Sequence, residues 1–269
     1  MSVLASTISR PQSSTTTYPV YDYAYDFTNG VQRFKLADQA VNTAIESGEF
    51  TVLMAYNPDA INSVDTAFQL WKSGGNDRAF WWRFRSTGNV EVITSDNGTS
   101  TAGITSASHG MSTGNWYFWA CVVSLSESAQ NDKIKLYRNA TDISATVTTG
   151  AHSSIHSVTF DNTNDTTIDD TSYAWGGRDS VGQSLEGFSH ELTILDTPLS
   201  SAQISAIYNS GTPISPRESH NANVVCRPEM DTMAWDGTDY NADCEILGAG
   251  KIVGYNTVNG DLSSTGGIY

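Results

Sequence analysis

Residues 187–213, "GFSHELTILDTPLSSAQISAIYNSGTP", decide the fold. The first half of this stretch alternates between apolar and polar side chains, which predicts a strand whose four residues on one side are Phe188, His190, Leu192 and Ile194. Pro198 then ends the strand, because proline lacks the backbone donor that a sheet requires. The chain therefore changes from strand to another structure within a few residues.

The second half of the stretch predicts one short amphipathic helix. Ser200 and Gln203 have the spacing of a capping box, and the apolar residues at helical spacing are Ile204, Ile207 and Tyr208. Asn209 and Gly211 end the helix. A helix of about two to three turns is marginal in water, so we expect it to bury its apolar side against a sheet edge or the end of a sandwich.

Most of the remaining chain, from Tyr21 onward, is a series of short predicted strands separated by turns. "EFTVLMAYNPD" places Phe50, Val52, Met54 and Tyr56 on one face. "AFWWRFRSTGNVEVIT" predicts a hairpin, in which Phe80, Trp82 and Phe84 lie opposite Trp81, Arg83 and Arg85. "GNWYFWACVVSL" is apolar on both faces, as in a central strand covered on both sides. A second hairpin is predicted around Asn139, and "SYAWGGRD" predicts a short strand that ends at a glycine turn.

Composition narrows the range of functions. The chain has 269 residues, and 14 basic against 29 acidic side chains give a formal charge of −15, which disfavours binding to nucleic acid. No stretch is apolar for long enough to span a bilayer, and the first residues lack the pattern of a Sec-type signal peptide. Among the three cysteines, Cys121 is predicted to be a small buried apolar residue. A disulfide between Cys226 and Cys244 remains an alternative.

The order of these elements resembles the concanavalin A-like jelly rolls of the laminin-G and pentraxin type, over roughly residues 23–211. The matching segments are "AYDFTNGVQRFKL", "GNWYFWACVV", "IKLYRNATDI", "YAWGGRD" and the closing strand and helix quoted above. The resemblance implies an all-β jelly-roll sandwich over residues 20–212 with one short C-terminal helix, which would cover the end of the sandwich. We expect residues 1–19 to form an extended N-terminal arm and residues 213–269 to form an irregular C-terminal extension that makes assembly contacts.

The extension resembles that of laminin-G-like proteins of tailed-phage virions. Ser219, His220, Asn223, Val224 and Val225 match one run of that family, and Trp235, Asp236, Gly237 and Thr238 match a second. The segment "CRPEMDT" departs from the family's intervening run. This resemblance implies a virion location, other capsid or virion proteins as partners, a homo-oligomer, and synthesis in the host cytoplasm.

Catalytic motifs are missing from the sequence. Glucanases of this fold carry Glu-x-Asp-x-x-Glu on one strand, whereas here the Glu-x-Asp of Glu229 and Asp231 lacks the following glutamate and lies outside the sandwich. His190 is interpreted as a histidine of the core or sheet edge. His152 and His156 are four residues apart, but their surroundings indicate a loop or strand rather than a zinc-binding helix. We expect no enzymatic activity.

Two kinds of binding remain open. Relatives of this type often hold Ca²⁺ at the rim, and the richest acidic loop, "DNTNDTTIDD", offers the candidate ligands Asp161, Asp165, Asp169 and Asp170, although a solvated acidic loop is the simpler interpretation. Exposed tryptophans could stack on sugar rings, and the candidates are Trp71, Trp81 and Trp175.

These observations support two hypotheses about function. The first is a non-enzymatic structural protein of a phage virion, such as a capsid decoration, head-fibre or tail-surface protein, with a solvent-facing jelly roll. The alternative is a carbohydrate-binding adhesion module that recognises host or environmental glycans. No cofactor is expected beyond Ca²⁺ bound at the rim in the carbohydrate-binding case.

Overall fold

A computed structural model describes residues 25–27, 32–37, 39–71, 78–158, 173–177, 183–211, 213–214, 216, 220–226, 234–235, 240–243 and 251–256. In chain order the strands are β1 (Tyr25–Phe27), β2 (Gln32–Ala37), β3 (Glu49–Pro58), β4 (Asp65–Trp71), β5 (Arg78–Phe84), β6 (Asn89–Gly98), β7 (Gly103–Ser108), β8 (Tyr117–Ser124), β9 (Ile134–Arg138), β10 (Thr141–Asp142), β11 (Thr146–Gly150), β12 (Tyr173–Trp175), β13 (Gly187–Leu195), β14 (Val224–Cys226), β15 (Ala234–Trp235), β16 (Tyr240–Asp243) and β17 (Lys251–Asn256). The α-helices are α1 (Gln39–Glu46) and α2 (Ser201–Tyr208), and short 3-10 turns span Gln130–Asp132, Asn209–Gly211 and Asn221–Asn223.

The described strands form two antiparallel sheets that face each other as a sandwich. The seven-stranded sheet has the order β1-β13-β3-β8-β9-β10, and β14 also pairs with β13. The ten-stranded sheet has the order β11-β7-β6-β5-β4-β12-β2-β17-β16-β15. This architecture confirms the predicted jelly-roll fold class, and both predicted hairpins are present as β5-β6 and β9-β10.

The inner core lies between the two sheets, where the predicted alternation of side chains is confirmed. The seven-stranded sheet contributes Phe50, Val52, Met54, Tyr56, Trp119, Cys121 and Val123, and the facing strands contribute Phe68, Phe80, Trp82, Phe84, Val90 and Val92. The ring centroids of Tyr56 and Phe84 lie 5.7 Å apart across the sandwich. Burial raises the pKa of the Cys121 thiol, as expected for a cysteine that serves as a small apolar residue.

The helix α2 begins and ends as the sequence predicts. The Ser200 Oγ accepts a hydrogen bond from the Gln203 backbone N–H at 3.3 Å, and the Gln203 Oε1 accepts one from the Ser200 backbone N–H at 2.9 Å. Asn209 ends the helix in the left-handed conformation, with φ 45°. These contacts satisfy backbone groups that a short helix would otherwise leave unpaired.

The position of α2 differs from the prediction. Instead of covering a sheet edge or the end of the sandwich, the helix lies on the outer face of the seven-stranded sheet, the face turned away from the inner core. Ile204 and Ile207 pack there in a second cluster, which includes Leu53, Phe118, Ala120, Val122 and Leu195. The strands β3 and β8 are buried on both faces, so their outer face also needs a cover.

Two further features were not predicted. The helix α1 precedes β3 and buries Val41 and Ile45 in the inner core. The strand β13 shifts register between His190 and Thr193, so Phe188 lies on the outer face while Leu192 and Ile194 lie in the core. The predicted single face for these residues was therefore wrong, because one bulge moves the following side chains to the other face.

The C-terminal extension contributes regular structure to the sandwich. In β14, Cys226 lies in the inner core and Val224 lies in the cluster beneath α2. The strand β17 pairs with β2 over six residue pairs and so extends the ten-stranded sheet. The described residues of β14 are therefore part of the sandwich, although they lie beyond the predicted boundary at residue 213.

We predict that Val224→Ala lowers the free energy of unfolding by about 2 kcal/mol, because the truncated side chain leaves a cavity beneath α2. Urea denaturation measures this change. The matched control is Val147→Ala, a half-buried valine on β11, which should cost well under about 1 kcal/mol. Equal effects of the two substitutions would show that β14 is not part of the core.

Candidate functional site

One end of the sandwich gathers a cluster of polar side chains. The loop between β3 and β4 lies there, next to residues 183–186, which lead into β13. Backbone hydrogen bonds hold these segments together: the Thr66 N–H donates to the Gln183 carbonyl at 3.1 Å, and the Asp59 N–H donates to the Glu186 carbonyl at 2.9 Å. The segment 183–186 therefore contacts the start of β4 in one sheet and the end of β3 in the other.

Asp65 is the central residue of this cluster, and it is fully buried. Its Oδ2 accepts a hydrogen bond from the Asn62 backbone N–H at 3.1 Å, whereas its Oδ1 has no hydrogen-bond partner. Burial, with a smaller contribution from the charge of Glu186, raises the pKa of Asp65 to about 7. A buried carboxyl oxygen without a partner is costly, and such an oxygen suits a bound cation or a donor from a ligand.

Glu186 supplies a second carboxylate beside Asp65. The Asn62 Nδ2 donates to the Glu186 Oε2 at 2.9 Å, so the backbone and the side chain of Asn62 each hold one of the two carboxyl groups. The Tyr56 hydroxyl donates to the Glu186 carbonyl oxygen at 3.0 Å. Burial and the nearby Asp65 charge raise the pKa of Tyr56 well above its ordinary value, so this hydroxyl stays protonated.

The tryptophans that were predicted to stack on sugars lie elsewhere. Trp175 is fully buried in the inner core, with its ring centroid 5.6 Å from that of Phe27, so it cannot contact a ligand in this conformation. Trp71 and Trp81 lie together on the outer face of the ten-stranded sheet, 5.9 Å apart, with only 6% and 5% of their surface exposed. The Arg83 guanidinium lies 4.1 Å from the centroid of the Trp81 ring.

Most of the other predicted site residues lie outside the described part of the chain, and His152 lies in the core. Asp161, Asp165, Asp169 and Asp170 lie outside the described residues, as do Glu229 and Asp231. His152 is fully buried, and its two ring nitrogens contact the hydroxyls of Thr94 and Thr105, each at 2.8 Å. Burial lowers the pKa of His152 to about 4, so it is a neutral core histidine rather than a general base near pH 7.

Sequence reasoning missed Asn62, Asp65 and Glu186. No short motif joins them, because Asp65 and Glu186 belong to segments that are far apart in the chain. Asp65 begins an alternating strand and Glu186 precedes a Gly-Phe pair, and both patterns are common in sheets. The signal available in the sequence was indirect: Asp65 is an acidic residue at the start of the apolar strand "DTAFQLW".

Comparison with known proteins places the chain in a family. The family model of the Concanavalin A-like lectin/glucanases superfamily matches residues 29–205. The chain belongs to this superfamily. No curated protein matches the sequence. Within the described residues, no helix is long and apolar enough to cross a membrane.

Solved structures agree with this superfamily fold. A proposed carbohydrate-binding protein from Bacteroides ovatus has a TM-score of 0.57 at 13% identity, and the match covers 87% of this chain and 58% of that one. The chain thus spans little more than half of that protein. The sialidase CBM40 of Ruminococcus gnavus bound to α2,3-sialyllactose has a TM-score of 0.48 at 14% identity, covering 69% of this chain and 96% of that one. The heptameric SAP-like pentraxin of Limulus polyphemus has a TM-score of 0.46 at 16% identity, covering 87% of this chain and 94% of that one.

We predict that Asp65→Asn stabilises the domain at alkaline pH in buffer containing a chelator. The pKa of Asp65 is raised from 3.8 to about 7, so the folded state holds a proton that the unfolded state releases in this window. The protonated carboxyl makes its full contribution to the free energy of unfolding below about pH 4, and this contribution is lost as the pH rises through about 7. Asparagine at position 65 carries no titratable proton. Near pH 8 the free energy of unfolding of the variant should therefore exceed that of the wild type by up to about 4 kcal/mol.

Urea denaturation across this pH range measures the difference between the two proteins. Asp59→Asn, at an exposed carboxylate of the same loop, is the control and should leave the pH profile unchanged. Parallel pH profiles for the wild type and Asp65→Asn would show that Asp65 is ionised in the folded protein throughout the range.

Proposed function

We propose that this chain is a non-catalytic carbohydrate-binding domain that binds glycan, together with Ca²⁺, at the end of the sandwich formed by Asn62, Asp65 and Glu186. Membership of a superfamily of lectins and glucanases and the fold shared with the Bacteroides ovatus protein support this proposal. The observation that carries it is the buried Asp65 Oδ1, which has no hydrogen-bond partner and lies in a polar cluster at the sandwich rim.

The chemistry of the cluster fits calcium. Ca²⁺ takes six to eight oxygen ligands from carboxylates, amides, carbonyls and water, in flexible geometry. Asp65 and Glu186 would supply carboxylates, and an ion at Oδ1 would provide the partner that this atom lacks. The described residues contain no group of three or more His, Cys, Asp or Glu side chains that could hold a metal. Within the described part of the chain, the remaining ligands would be neutral oxygens, and water and the hydroxyls of a sugar would add to them.

The same cluster argues against glycoside hydrolysis. Hydrolysis needs two carboxyl groups that reach opposite sides of a glycosidic bond. Asp65 has a pKa near 7, as a general acid would, but it is fully buried and holds the Asn62 backbone N–H. A carboxyl that is fully buried does not reach a glycosidic oxygen, whereas a cation bound at Oδ1 would link this carboxyl to sugar hydroxyls. Binding without cleavage is therefore the function that this geometry supports.

We predict that CaCl₂ raises the melting temperature of the wild type and leaves that of Asp65→Asn unchanged. At a Ca²⁺ concentration of about 100 times Kd the expected shift is roughly 5–10 °C. MgCl₂ and chelator are the comparison conditions, and Asp59→Asn should respond like the wild type. If Asp65→Asn and the wild type respond equally, calcium does not bind at Asp65.

The carbohydrate part of the proposal is tested separately on an array of immobilised oligosaccharides, with and without Ca²⁺. Binding to a defined set of glycans that weakens in chelator supports both parts of the proposal. Glycan binding that is equally strong with and without Ca²⁺ supports a carbohydrate-binding domain that needs no cation. An array with no bound glycan in either condition would refute the carbohydrate-binding function.

A second candidate is a structural role in a tailed-phage virion, for which the resemblance of residues 219–238 is the specific support. We expect a virion protein to pellet with undecorated capsids at a fixed stoichiometry when the two are mixed. A chain that stays in the supernatant under these conditions would exclude capsid decoration. The two roles are compatible, because a decoration protein can also bind glycans.

A further inference from the structure

A row of three side chains crosses the outer face of the seven-stranded sheet at the same end of the sandwich. In β13, Phe188 pairs with Asn57 of β3. The strand β8 runs antiparallel to β3 on its other side, and its Tyr117 pairs with Tyr56. Trp116, which precedes Tyr117, therefore lies beside Asn57, which follows Tyr56. Tyr56 points into the inner core, so the adjacent Asn57 faces outward, and Trp116 packs on the outer-face cluster.

The exposure of Trp116 distinguishes it from the other tryptophans whose exposure is described. Trp116 and Phe188 are both partly exposed. The other tryptophans whose exposure is described, Trp71, Trp81, Trp82, Trp119 and Trp175, are all buried. The row is therefore a place where aromatic rings at a sheet surface remain accessible to a ligand.

Asn57 supplies a hydrogen-bonding group between the two rings. Only 6% of its surface is exposed, and its Oδ1 has no hydrogen-bond partner. An amide oxygen that is buried without a partner costs stability, so the position suits a ligand that brings its own donor. A sugar hydroxyl is such a donor.

The backbone around the row is held in place. The Gly114 N–H donates to the Pro58 carbonyl at 2.7 Å, which fixes the approach to Trp116. Gly187 has φ 124°, and a side chain there would collide with the carbonyl oxygen of Asn57. Only glycine therefore allows β13 to approach β3 closely enough to place Phe188 beside Asn57.

We propose that Trp116, Asn57 and Phe188 form an aromatic platform for an uncharged pyranose ring. The aromatic rings would contact the apolar C–H face of the sugar, and Asn57 Oδ1 would accept a hydrogen bond from a hydroxyl. Asp59 lies two residues after Asn57 and Glu186 lies two residues before Phe188, and in the absence of Ca²⁺ their carboxylates disfavour an acidic sugar. This inference rests on the proposed carbohydrate binding and adds a stacking subsite to the Asp65 end of the sandwich.

The test uses the full chain labelled with 5-fluorotryptophan, titrated with methyl β-galactopyranoside, methyl α-mannopyranoside, N-acetylglucosamine and, as the charged comparison, N-acetylneuraminic acid. We expect at least one uncharged sugar to shift the ¹⁹F resonance of Trp116, which Trp116→Phe identifies by its loss. Trp116→Ala and Asn57→Leu should each weaken binding by at least about tenfold. Trp81→Phe, on the other sheet, should bind like the wild type.

Asn57→Leu separates a ligand-binding role from a structural one. Leucine has nearly the shape of asparagine and removes an unsatisfied oxygen, so the variant should melt at or above the wild-type temperature while it loses sugar binding. Wild-type affinity in Trp116→Ala and Asn57→Leu would overturn the platform but leave carbohydrate binding intact. Preference for N-acetylneuraminic acid would overturn the uncharged sugar class. A wild type that binds none of the array glycans or sugars would overturn both proposals.

Discussion

The strand β3 is the element on which the rest of the structure depends, because it is buried on both faces and pairs with a strand on each side. It pairs with β8 along eight residues and with β13 on its other edge. A strand of this kind must be covered twice. The ten-stranded sheet covers its inner face, and α2 with Val224 covers its outer face. The sandwich, the position of the helix and the inclusion of β14 all follow from this requirement.

The candidate site lies where β3 stops. Asn57 and Pro58 end the strand, and the following loop turns toward β4 and carries Asn62 to Asp65. Residues 183–186 run alongside the start of β4 before entering β13, so Glu186 reaches the same place from a distant part of the chain. The same backbone segments, the end of β3 and the beginnings of β4 and β13, therefore position both the polar cluster and the aromatic row.

Local patterns allowed much of the fold to be predicted. The alternation in β3 and β5, the two apolar faces of β8 and the capping box at Ser200 each depend on neighbours in sequence, and each is present. The helix α1, the bulge in β13 and the face that α2 covers depend on tertiary packing, which short patterns do not encode. The burial of Trp71, Trp81 and Trp175 could not be predicted for a related reason: the sequence identifies an aromatic residue in a strand but not whether its face is covered.

The buried polar residues show why the rim is the better place for a site than the core. His152 is buried, but both of its ring nitrogens contact threonine hydroxyls, so no further partner is needed. The indole nitrogens of Trp82 and Trp119 lack partners but lie in the inner core, where no ligand can reach them. Asp65 and Asn57 each leave an oxygen unsatisfied at the end of the sandwich, close to the loops that border solvent. Each of these oxygens lowers the stability of the unliganded domain, because it is buried without a hydrogen-bond partner. A bound cation or hydroxyl would supply that partner, so binding at this end of the sandwich would restore the lost stability.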